Sequence, residues 1–93
     1  MSNWVRRWAA ERDGKRPFFL FVNLMEAHLK YLAPAPWRHR FTEAGVDAAR
    51  VRALNQDPWA HLTGRAPMTA QDFRLLEDLY DGELLYLDQC LEE

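Results

Sequence analysis

Phe18-Phe19-Leu20-Phe21-Val22-Asn23-Leu24 is the stretch on which the fold class turns. Its apolar side chains fall on both alternating faces, which suits a strand buried between two layers better than a half-exposed hairpin. A helical pattern precedes it. Trp4, Val5, Trp8 and Ala9 recur at three- and four-residue spacing, Ser2 or Asn3 can cap the first amides, and Asp13-Gly14 ends the run. A helix followed closely by a doubly apolar strand predicts α/β organisation around a parallel sheet. One strand cannot make a sheet, so its neighbours are expected from outside these 93 residues or from another chain.

Beyond the strand the pattern loosens. Met25 to Pro36 reads as an irregular loop, with alternating prolines holding the backbone extended. Trp37 to Phe41 suggests a helical turn and Val46 to Leu54 a short helix. Asn55 to Pro67 carries the turn signals Asp57-Pro58 and Thr63-Gly64. The strongest helical pattern comes last. Thr69 and Asp72 resemble a capping box, and Phe73, Leu76, Tyr80, Leu84, Leu87 and Leu91 follow as an expected core face. Gly82 interrupts that helix at about 1 kcal/mol relative to alanine, which points to close packing there. The acidic ending Glu92-Glu93 opposes the helix dipole, as in a chain cut within a longer helix.

Composition narrows the function classes. The chain is 48% hydrophobic and 28% charged, as expected of a soluble globular segment. Twelve basic against fourteen acidic residues leave no large field of either sign, so no nucleic-acid or membrane partner is expected. The longest apolar run, Phe18 to Val22, is far short of the roughly 20 residues a membrane-spanning helix needs. A lone Cys90 permits no internal disulfide and leaves the compartment open.

Two motifs carry a family resemblance. Arg16-Pro17-Phe18-Phe19-Leu20-Phe21-Val22-Asn23-Leu24-Met25-Glu26-Ala27-His28-Leu29-Lys30-Tyr31 resembles the sulfatase segment in which an apolar strand leads into a histidine loop, with Pro34 to Phe41 as its proline-rich continuation. Leu79-Tyr80-Asp81-Gly82-Glu83-Leu84-Leu85-Tyr86-Leu87-Asp88 is similar to a later helix of the same family. The resemblance implies an internal fragment of an α/β/α sandwich of the alkaline-phosphatase-like superfamily, cleaving sulfate esters of small molecules or glycans. It also implies a formylglycine nucleophile and a divalent cation, usually calcium, both held outside this chain. Phosphate- or phosphonate-ester hydrolases and phosphoethanolamine transferases share the superfamily and stay open. From another class, the alternative is a small non-catalytic α/β protein that dimerises to complete its sheet.

Of the family's active site only one function maps here. The resemblance places His28 against the sulfate or the leaving-group oxygen, a role imidazole suits because ester cleavage builds negative charge that a fixed donor can stabilise or protonate. Ala27 and Lys30 stand where the family often has proline, and Lys30 is a second candidate contact for an anionic substrate. No Cys/Ser-x-Pro/Ala-x-Arg motif occurs, and Cys90 precedes Leu91-Glu92, so this chain alone is expected to be inactive. Read without that context, His39 and His61 are surface histidines, Glu26 is a solvated carboxylate or a partner of His28, and Trp37 and Trp59 pack or line a cleft.

Overall fold

A computed structural model of the chain describes residues 3–92. Helix α1 (Asn3–Glu11) is followed by a long non-helical segment, then α2 (Ala35–Arg38), α3 (Ala48–Ala53), α4 (Pro58–Leu62) and α5 (Ala70–Glu92). The described residues contain no strand and no sheet, so the molecule is all-helical and the α/β sandwich is not its fold. Ser2, the other candidate cap for α1, and Glu93 lie outside the described residues.

The correction has a simple cause. A strand exists only through hydrogen bonds to a second strand. Among the described residues no backbone–backbone bond engages residues 18–24, and no other apolar run of this kind occurs in the sequence to pair with them. The segment therefore turns its side chains to solvent: Phe19 is 90% and Phe21 77% exposed. Only its first residue is anchored. Phe18 lies edge-on to Trp8 with ring centroids 5.2 Å apart, and the Arg12 guanidinium sits 4.0 Å from the centroid of the same ring. Among the described residues no other helix approaches α1 to within 8 Å between Cα atoms. The resulting radius of gyration is 17.9 Å, against about 12 Å for a compact chain of this length.

The packed body is built on α5. Its start is the reciprocal cap read from the sequence: Asp72 Oδ2 accepts from Thr69 N at 2.8 Å, and Thr69 Oγ1 accepts from Asp72 N at 3.2 Å. The Thr69 amide holds the Asp72 carboxyl below its ordinary range, helped by the Arg50 guanidinium at 2.5 Å and by the Thr69 hydroxyl. Leu75 and Leu79 then pack against Val51 and Leu54 to form the core. The row of Phe73, Tyr80 and Leu84 is not that core, since each is more than a third exposed. Helix α5 is apolar on two sides, and α3 covers the side bearing Leu75 and Leu79.

Further along, the buried stripe changes character to Gly82 and Glu83. A Cβ at Gly82 would stand 2.6 Å from the Trp37 carbonyl oxygen and 3.3 Å from its carbon. That is where α2 lies against α5, the only two helices whose Cα atoms come within 8 Å among the described residues. The short helices have local causes. Asp47 caps α3 by accepting from Arg50 N at 2.8 Å. Asp57 caps α4 by accepting from Trp59 N at 3.0 Å, with Pro58 in the first turn where a missing N–H costs nothing.

Gly82→Ala sets the helix-propensity gain, about 1 kcal/mol, against an overlap with main-chain atoms that cannot rotate away. The overlap wins, and urea denaturation should show a net loss on the order of 1–2 kcal/mol. Two aspartates on α5 should respond to pH with opposite sign. Burial, reinforced by Glu43, Asp81 and Glu77, pushes the Asp78 carboxyl up. Its folded form binds a proton more readily than its unfolded form, so it weakens folding as pH rises from its unfolded value near 3.8, and fully above its raised one. Asp72 is the reverse: its contribution is present above its unfolded value near 3.8 and is lost as pH falls through the depressed folded one. Thermal melts at pH 7 should find Asp78→Asn more stable and Asp72→Asn less stable by about 1 kcal/mol. Both differences should shrink in strong acid.

Candidate functional site

The histidine loop leaves the extended segment through an unusual backbone. Ala27 has φ of 60°, a left-handed conformation that costs an L residue roughly 1–2 kcal/mol. Proline, locked near −65°, could not stand there without rerouting the loop. His28 follows with its ring exposed, and Nδ1 donates to the Leu29 carbonyl at 2.8 Å. Because a carbonyl only accepts, this bond places the proton on Nδ1 and leaves Nε2 as an acceptor when neutral and a donor when charged. Glu26 is exposed and makes no hydrogen bond to His28, so it remains a solvated carboxylate.

From Tyr31 onward the loop is braced. The buried Gln56 side chain accepts from Tyr31 N at 2.7 Å, and its amide nitrogen reaches back to Tyr31 O at 3.5 Å. The buried Glu83 carboxylate accepts from Leu32 N at 2.5 Å. Arg38 donates to Ala33 O at 2.8 Å and to Leu32 O at 3.3 Å. Two ring pairs close the set, Tyr31 with Tyr80 at 5.4 Å and Trp37 with Tyr86 at 5.1 Å. Tyr80, Gly82, Glu83 and Tyr86, all from the helical motif, thus each meet a residue of the histidine loop or its continuation.

The loop then divides its side chains. Leu29 faces an apolar hollow with Pro58, Leu62, Met68, Phe73 and Leu76. Lys30 lines a separate cleft with Arg52. The other histidines are structural rather than free at the surface. His61 is half-buried, accepts from Met68 N at 2.9 Å through Nδ1 and packs edge-on to Phe73 at 5.1 Å. His39 closes α2, and its Nδ1 is buried without a hydrogen-bond partner. Trp37 is half-buried against Tyr86, whereas Trp59 is 72% exposed.

No group of three or more His, Cys, Asp or Glu side chains among the described residues is placed to hold a metal ion. The sulfatase resemblance places the ligands of its divalent cation outside this chain, so no chemistry is routed through that ion here. Gln56 and Arg52 carried no signal in the sequence. Glu83 was visible only as a carboxylate within the helical motif, off the row expected to form the core.

Replacing Glu83 by leucine keeps the volume but strands the Leu32 amide, a loss of about 1–3 kcal/mol. Hydrogen exchange should accelerate at Leu32 and its neighbours while the Asp57-capped turn of α4 keeps its protection; uniform acceleration would mean that Glu83 supports the whole body instead.

No protein-family model, curated protein or solved structure matches this chain.

Proposed function

We propose that this chain supplies the histidine loop of a sulfuric ester hydrolase, with His28 contacting the sulfate group or the leaving oxygen and Lys30 adding positive charge. The observation that carries the reading is the contact between its two motifs. Four residues of the helical motif, Tyr80, Gly82, Glu83 and Tyr86, are spent on bracing the segment that follows His28. A helix so occupied is useful where the position of a loop matters, since misplacement of a contacting group by about 1 Å costs on the order of 10²-fold in rate.

His28 suits the role in its own geometry. Its Nδ1–H is occupied by the Leu29 carbonyl, which orients the ring and leaves Nε2 facing solvent. In the imidazolium form Nε2–H can donate to a sulfate oxygen or pass its proton to the departing alkoxide. The nucleophile has no candidate here, because the chain contains no Cys/Ser-x-Pro/Ala-x-Arg motif. The reading therefore places it on polypeptide beyond these residues.

Reading the coding DNA on both sides tests this directly. An in-frame upstream Cys/Ser-x-Pro/Ala-x-Arg motif is expected, and His28→Ala in the full product should lower kcat/KM for 4-nitrophenyl sulfate by about 10²–10⁴-fold. Start and stop signals immediately bounding the 93 codons would end the hydrolase reading, as would an unaltered rate in the variant.

A further inference from the structure

The cleft beside the histidine loop carries an unbalanced charge. Lys30 and Arg52, the latter on α3, both line it, and neither has an ion-pair partner among the described residues. The one carboxylate at the rim, Asp57, is already engaged: it takes a bond from Arg65 at 2.9 Å and caps α4 through Trp59 N. The cleft is thus positive within a chain whose net charge is −2. Two uncompensated cations facing one space gain from any anion placed between them, and gain more as water is excluded.

Its remaining walls are part apolar and part polar, and they are held. Leu32, Val51 and Leu54 supply the apolar part, with Val51 and Leu54 belonging to the core, and Asn55 and Gln56 supply the polar part. The Lys30 side does not drift, because the next two residues are pinned at Tyr31 N by Gln56 and at Leu32 N by Glu83. The cleft volume of about 390 Å³ is of the size that accepts a small organic molecule.

From this we infer that the cleft binds a small organic anion, an oxyanion gripped by Lys30 and Arg52 with an apolar body laid against Leu32 and Leu54. It goes beyond the hydrolase reading, since His28 does not line this cleft, and it makes Arg52 a binding residue. The binding itself does not depend on hydrolysis.

The test is equilibrium binding of 4-nitrophenyl sulfate to the 93-residue chain, followed by calorimetry or by NMR shifts. Saturable binding is expected, weakened about tenfold by Lys30→Gln and by Arg52→Gln and unchanged by Arg6→Gln, a control of equal charge change on α1. The uncharged 4-nitrophenyl glucoside should not compete, and inorganic sulfate should compete more weakly than the aryl ester. Absence of saturable binding by a folded chain overturns the inference. So does an equal loss in Arg6→Gln, which would mean diffuse attraction, or equal binding of the uncharged analogue. Aryl sulfate binding without a nucleophile motif in the flanking DNA would leave the cleft standing and remove the hydrolase; the reverse result would do the opposite.

Discussion

The body of this molecule depends on the seating of the Trp37 carbonyl against the face of α5 left bare by Gly82. Every other contact between the loop and the long helix follows from that approach. With the side chain absent, α2 reaches α5 closely enough for Trp37 to lie on Tyr86, one turn further along. One residue after the glycine, Glu83 is then in reach of the Leu32 amide. Glycine is costly inside a helix, so its use here sets local stability against the geometry of a neighbouring element.

Bracing and charge act on the same few residues. Buried polar side chains are expensive unless satisfied, and Gln56 and Glu83 are satisfied by main-chain groups of a segment with no secondary structure of its own. The loop thereby takes its shape from a side chain on α5 and another in the link between α3 and α4. Lys30 is the residue immediately before those pinned positions, which fixes its place along the cleft. Arg52 stands on α3 beside Val51, which lines the cleft and also belongs to the core with Leu79. The cleft and the core therefore share one short helix.

The region before the loop obeys different physics. Residues 18–24 have no main-chain partners, and their aromatic side chains are largely in water. Trp8 and Arg12 cover one face of Phe18 and nothing comparable covers Phe19 or Phe21. An apolar surface of this kind has no opposing polar face to turn outward, so its exposure reflects a shortage of partners within the chain rather than a preference for solvent.

Local chemistry was legible from the sequence by itself. The Thr69–Asp72 cap, the span of α5 and the short helix after Asp47 all follow from interactions between residues a few positions apart, whereas the glycine at 82 pointed to close packing without naming the Trp37 carbonyl that supplies it. The start of α4 was legible in principle, since aspartate followed by proline is a helix-opening pair, but it reads equally well as a turn. His28 and Lys30 were visible as residue types in a loop. Tertiary structure alone decided the rest. Whether Phe18–Leu24 pairs depends on a second strand, whose presence no local pattern can report. Which side of α5 is buried depends on where α3 lies, because both sides are apolar enough to serve. Arg52 joins Lys30 across 22 residues of chain only because Gln56 and Glu83 hold the intervening loop in place. Hydrogen bonds and packing between distant segments are absent from any local reading, and here they determine both the fold class and the cleft.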